Sequence, residues 1–122
     1  MEWQYLAGFF DGEGNIGYHN QPKFKIKRQV AIQISQKTKP VLEQIGTFLQ
    51  SEGISHWGIY SQKNKWGGAY VLRIDMAKDI NTFLEALIPY LIVKKEQAEV
   101  ASKYLEESVI PFQKILHVKR RN

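Results

Sequence analysis

Apolar residues near the start of the chain recur at helical spacing on two faces at once. Trp3, Leu6, Ala7 and Phe10 fall at i, i+3, i+4 and i+7, and Tyr5, Gly8, Phe9 and Gly12 repeat that spacing one step round. A helix buried on both sides sits between its own core and a second body. Gly8 and Gly12 lower helix propensity, a cost that makes sense where another backbone comes close to them. The run ends on Glu13, at the negative end of the helix dipole, where one more negative charge is unfavourable. Two readings are open for that acid: a solvated side chain beyond a core helix, or a carboxylate that holds a cation.

Beyond Gly14 the period changes to two. Ile16 and Tyr18 alternate within Asn15 to His19, a first strand, and Asn20, Gln21 and Pro22 make a turn. A second strand runs from Lys23 to about Ser35, with Val30, Ile32 and Ile34 on one side. A helix opens at Thr38 or Lys39 with Pro40 in its first turn, carries Val41, Leu42, Ile45, Phe48 and Leu49 as its stripe, and stops at Gly53. A second hairpin pairs Ile59–Lys63 with Ala69–Asp75 through a turn at Asn64–Gly68. Asp79 starts a helix with Ile80, Phe83, Leu84, Leu87 and Ile88 on one face, broken at Pro89. Another helix spans Lys94 to about Glu107, and Pro111 separates it from a tail ending Lys119-Arg120-Arg121-Asn122. The order αββαββα predicts an α+β fold: a four-stranded antiparallel sheet with helices on one face, in one domain spanning residues 1–122.

Composition narrows the partners. Seventeen Lys and Arg against twelve Asp and Glu give a net charge of +5, which favours a polyanion, nucleic acid before anionic membrane. No apolar run is long enough to cross a bilayer, the N-terminus lacks a signal-peptide pattern, and no membrane partner is expected. The absence of cysteine excludes disulfides, thiol nucleophiles and cysteine-ligated zinc. His19, His56 and His117 lack metal-ligand spacing, and no P-loop, dinucleotide fingerprint or nucleophile elbow is present.

With the apolar alternants facing the helices, the opposite sheet face presents Asn15, Gly17, His19 and Gln21 from the first strand. Lys25, Lys27, Gln29, Gln33 and Ser35 follow from the second, and Ala69, Val71, Arg73 and Asp75 from the fourth. The third strand allows two registers, one showing Tyr60, Gln62 and Asn64 and the other Ser61 and Lys63. Cations neutralise phosphates without reading sequence, whereas Gln and Asn pair bidentately with adenine and Arg with guanine. This mixture suits a major-groove surface, and it also suits an ordinary solvated sheet face.

The stretch Leu6-Ala7-Gly8-Phe9-Phe10-Asp11-Gly12-Glu13-Gly14 resembles the signature of the LAGLIDADG homing endonucleases. Leu6, Ala7, Gly8, Asp11 and Gly14 match it letter for letter, and Glu13 stands for its second acid. The resemblance implies a saddle-like sheet face that grips double-stranded DNA and a site-specific endonuclease that makes double-strand breaks. It implies divalent metal, Mg²⁺ or another cation such as Mn²⁺, held by Glu13 and the Gly12 carbonyl. Gln36 aligns with a residue that positions active-site water, and Lys94 with a lysine beside the scissile phosphate, with Lys95 as its rival. Asp11 is expected to cap or hydrogen-bond near the helix end. Pro40 departs from a family position that is basic in some members, where Lys39 or Lys37 would have to substitute. One signature per chain implies a homodimer with Tyr5, Gly8, Phe9 and Gly12 at the seam and a near-palindromic target. An intron-encoded gene in a prokaryote or an organelle fits, as does a non-cleaving maturase or regulator on the same scaffold.

Overall fold

Strand alternation and helix stripes assemble into two layers, seen in a computed structural model that describes residues 1–21, 26–65 and 67–111 and leaves aside the side chains of residues 20, 21, 26–28 and 64. Helix α1 (Trp3–Glu13) runs directly into β1 (Gly14–Gln21), followed by β2 (Ile26–Gln36), α2 (Lys39–Ser51), β3 (Tyr60–Asn64), β4 (Gly67–Ile74), α3 (Ala77–Leu87) and α4 (Lys95–Tyr104). A single 3₁₀ turn, Ile88–Tyr90, separates α3 from α4. The sheet is antiparallel throughout in the order β1-β2-β4-β3, so each hairpin keeps its own partner and β2 joins β4 in the middle. The expected α+β fold is the observed one. The Lys23 end of the second strand, Lys25 and the basic tail lie outside the described residues.

The register places Ile34 opposite Gly14 and Leu72, and Ile32 opposite Ile16 and Ile74. Ile32, Ile34, Leu72 and Ile74 are fully buried in one apolar cluster with Leu42, Ile45 and Leu49 of α2, Ile80, Phe83 and Leu84 of α3, and Ala98 and Ala101 of α4. From α1 the first apolar face joins this core: Leu6, Ala7 and Phe10 are fully buried, and Phe10 meets Phe83 edge-on at 5.4 Å. Trp3 packs edge-on to Phe48 at 4.9 Å while its indole N–H donates to Glu52 at 3.1 Å. The helices therefore pack against one face of the sheet.

Gly14 marks the joint between α1 and the sheet. Its backbone is ordinary extended chain, but a Cβ there would lie 2.1 Å from the Phe10 ring, itself locked against Phe83. Gly14→Ala is expected to cost about 1–3 kcal/mol by overpacking. Chemical denaturation reads this, with Gly58→Ala as control because a Cβ at Gly58 meets nothing within 4 Å. Equal midpoints for the two variants would remove the steric reading.

Three expectations are corrected. Helix α3 begins at Ala77, not Asp79; Asp79 sits in its first turn, where a carboxylate favours the dipole as a cap would. Helical chain does not stop near Glu107 but runs to Pro111, and the tail beyond lies outside the described residues. The chain passes through a π-helical stretch, Leu105–Val109, and residues 110–111 are helical again. The Ile110 N–H bonds to the Leu105 carbonyl five residues back, the spacing of a π turn, and Pro111 after it donates no N–H. The third correction concerns Lys63. Tyr60 lies opposite Val71 and Gln62 opposite Ala69, so Tyr60 and Gln62 share the outer face with Ser35, whereas Lys63, opposite Gly68, falls on the parity of Tyr70 and the helix side.

Candidate active site

Three segments meet at one end of the sheet. Helix α1 delivers Gly12 and Glu13 there because β1 starts at the next residue. Strand β2 ends there on Gln36, two residues past the Ile34–Gly14 pair. The turn from residue 91 to 94 arrives because Asp11 holds it. One carboxylate oxygen of Asp11 accepts the N–H of Ile92 at 2.8 Å, and the other accepts those of Val93 at 3.1 Å and Lys94 at 2.9 Å. These amides lie at the N-terminus of α4, whose own N-cap residue, Lys94, supplies no side-chain cap, so Asp11 caps a helix 83 residues away in sequence. Lys94 reciprocates, its ammonium donating to the Asp11 carbonyl at 2.6 Å in the last turn of α1, which has no basic residue of its own. Each helix end thus receives the charge its dipole favours. Burial pushes the Asp11 carboxyl up, but the three amides and the Lys94 charge outweigh it and hold the group below the ordinary aspartate value.

Glu13 and Gly12 are exposed, and the Glu13 carboxylate has no hydrogen bond or ion pair among the described residues. Gln36 is half-buried and turns its side-chain oxygen back onto the Lys37 N–H at 2.8 Å, leaving its amide NH₂ as the group available to solvent. Lys95, the alternative to Lys94, is exposed and makes no contact with Asp11. Near the Pro40 departure, Lys39 leans over the Tyr70 ring at 6.0 Å, beside Gln36 in the register, and Lys37 is exposed.

This donor set suits a hard divalent cation shared with other oxygen donors. No cluster of three or more His, Asp or Glu occurs among the described residues, which excludes an all-protein cage there. The Glu13 carboxylate, unpaired among the described residues, and the backbone carbonyl of the exposed Gly12 fit a hard divalent cation that keeps waters and takes further oxygens from its ligand.

The second face of α1 is open. Tyr5 is 56% exposed and stacks on the half-buried Phe9 at 6.4 Å, and a Cβ added at Gly8 or Gly12 meets nothing within 4 Å. Ile92 and Val93, whose amides Asp11 holds, are 85% and 73% exposed. These two apolar side chains were not singled out from the sequence; their isolation between Leu91 and Lys94 shows no periodicity.

On the outer sheet face Asn15, Gln33 and Arg73 form one cross-strand row, His19 pairs with Gln29, and Val71 lies between Ser35 and Tyr60. Gln21 and Lys27 lie in the paired strands, but their side chains are outside the described set, as is all of Lys25. The face is less open than alternation predicts: Val71 is fully buried and Ala31 is 2% exposed. Trp57, in the loop before β3, places its ring 5.0 Å from the Arg73 guanidinium, a DNA-face candidate that no sequence pattern marked.

The sequence model of the LAGLIDADG endonuclease family matches residues 6–107. DNA endonuclease I-CreI of Chlamydomonas reinhardtii is 29% identical over 114 residues, covering 84% of this chain and 61% of that protein; this chain thus spans about three-fifths of its relative's length. Among solved structures, the homing endonuclease I-CvuI in complex with the I-CreI target aligns with a TM-score of 0.64 at 23% identity, over 86% of this chain and 66% of that one. The archaeal intron-encoded homing endonuclease I-Vdi141I complexed with DNA aligns with a TM-score of 0.63 at 24% identity, over 85% and 66%. The fold is the one these structures share, and because the family match begins at Leu6 of the two-faced helix and runs past Lys94 through α4, this chain belongs to the LAGLIDADG endonuclease family.

Proposed function

We propose that the protein is a site-specific DNA endonuclease that acts as a homodimer and makes a double-strand break by metal-dependent phosphodiester hydrolysis. The observation that carries this reading is the Glu13 carboxylate at the α1–β1 joint, unpaired among the described residues and beside a lysine tied to the same helix end. Glu13 and the Gly12 carbonyl hold the divalent ion, Mg²⁺ or Mn²⁺, which when bound acidifies water and offsets charge on the phosphate oxygens. Lys94 supplies positive charge beside the scissile phosphate, and the Gln36 amide orients water. The outer face, through Asn15, His19, Gln29, Gln33, Ser35, Tyr60, Gln62 and Arg73, with Gln21, Lys25 and Lys27 of the first hairpin, lies along the major groove. Lys63 starts from the helix side of the sheet. Each chain contributes one acid, so two strands require two chains; the open α1 face with Tyr5, Gly8, Phe9 and Gly12, flanked by Ile92 and Val93, forms the seam.

The test is cleavage of a duplex carrying the candidate insertion site, with Mg²⁺, with Ca²⁺ and with EDTA. Linear double-strand products are expected in Mg²⁺ alone, with binding kept in Ca²⁺, a weaker Lewis acid. Binding without cleavage in both Mg²⁺ and Mn²⁺ would favour a non-cleaving binder on this scaffold. Sedimentation of the DNA complex is expected to give two protein chains per duplex, and a single chain would remove the shared-site reading.

A further inference from the structure

The outer sheet face carries an arginine held on three sides. The Nε of Arg73 donates to Asp75 Oδ1 at 3.1 Å and its Nη2 lies 3.1 Å from the same oxygen, so one edge of the guanidinium is taken. Its Cζ lies over the Trp57 ring, 5.0 Å from the ring centroid and within cation–π range. His19 Nε2 stands 3.5 Å from Nη2, at the limit of a hydrogen bond, and Nη1 has no contact among the described residues. The Trp57 backbone is held from both sides: its main-chain N–H donates to the Arg73 carbonyl at 2.9 Å, and its carbonyl lies 2.6 Å from His56 Nδ1. The neighbouring Gly17–Ala31 pair adds no side chain larger than a methyl to that part of the face.

A free arginine on a flexible stem contacts phosphates wherever they pass. This one has lost that freedom, since its side edge is spent on Asp75 and its face on Trp57. What remains is the end of the fork, Nη1 and Nη2, two coplanar N–H groups. Guanine alone offers two adjacent acceptors, N7 and O6, on its major-groove edge; adenine pairs an acceptor with a donor, and thymine has one acceptor beside a methyl. We propose that Asp75 and Trp57 are positioning residues that hold Arg73 end-on to read one guanine in each DNA half-site, with His19 yielding its weak contact to the base. This rests on the endonuclease reading, and it adds a base identity that net charge does not require.

The experiment is selection of binding sites by the full chain from a randomised duplex library in Ca²⁺. The expected wild-type consensus fixes a G at one position of each half-site, and replacing that base by 7-deazaguanine, which lacks N7, weakens binding roughly five- to a hundredfold. Arg73→Met, which keeps the stem and removes every donor, is expected to erase the preference at that position alone and to be indifferent to 7-deazaguanine. Trp57→Ala flattens the same position, and Trp57→Phe restores it by returning an aromatic face. Asp75→Ala also flattens it while tightening binding to unrelated duplex, because the released guanidinium becomes a phosphate contact; the salt slope steepens by about one. A surface ion pair that served only stability would move none of these preferences. A consensus unchanged by Arg73→Met would overturn the base assignment, and one unchanged by both Trp57→Ala and Asp75→Ala would overturn the positioning roles. Failure of the wild type to select any consensus would overturn the endonuclease reading as well, whereas a selected and cleaved site indifferent to Arg73 would overturn this inference only.

Discussion

Glu13→Gln is expected to bind target duplex at least as tightly as the wild type and to cleave it about 10²–10³-fold more slowly, since a metal's contribution is several kcal/mol and each tenfold in rate is about 1.4 kcal/mol. The substitution keeps the shape and replaces a charged oxygen ligand with a neutral one. Removing a negative charge beside phosphates lowers repulsion, which is why affinity does not fall. Stability moves the opposite way from activity. Glu13 closes α1 at its negative end, where a carboxylate costs about 0.3–1 kcal/mol, and no cation among the described residues pairs with it. The variant should therefore melt slightly higher while losing cleavage, a combination that misfolding cannot produce. Glu13→Asp, one methylene shorter, should recover much of the rate. Cleavage by Glu13→Gln within a few-fold of wild type would remove Glu13 from the chemistry.

The parts of this fold readable from the sequence are those where one local constraint dominates. The two-faced pattern of α1 was readable because its glycines and aromatics repeat at helical spacing, and the buried and open faces fall as that spacing requires. Strands β2 and β4 were readable because Val30, Ile32 and Ile34, and Leu72 and Ile74, alternate without interruption. Strand β3 was not, since Tyr60-Ser61-Gln62-Lys63 is polar on both sides and only pairing with β4 fixes its face. Asp79 misled for a different reason: it looks like a cap because capping and dipole effects favour the same residue types. Within the candidate site, Glu13, Gln36 and Lys94 came from the family signature and its alignment. Trp57 stood outside any period, in a loop, and the two exposed apolar residues before Lys94 are placed by the hold of Asp11 on their backbone.

That long-range cap supplies the second large effect. Asp11→Ala is expected to lower stability by about 2 kcal/mol, less than three charge-assisted hydrogen bonds would suggest, because water reaches the freed amides. Cleavage should fall further than stability or DNA affinity. Without the carboxylate the 92–94 turn is no longer pinned to α1, Lys94 loses its fixed approach to the Asp11 carbonyl, and a displacement of about 1 Å in such a group costs on the order of 10²-fold in rate. Asp11→Asn should fall between: one oxygen still accepts from Val93 and Lys94, but the amide NH₂ then faces the Ile92 N–H, donor against donor. The pH dependence has a definite sign. The folded carboxyl is held below the ordinary aspartate value, so its contribution is complete above that value and disappears as pH falls through the lower, folded one. Thermal melts of wild type and Asp11→Asn should therefore be well separated near neutrality and converge in strong acid, while single-turnover cleavage at neutral pH separates all three proteins. Identical melts for wild type and Asp11→Ala near neutrality would mean that α4 keeps its place without the cap, and that Lys94 is positioned by something other than Asp11.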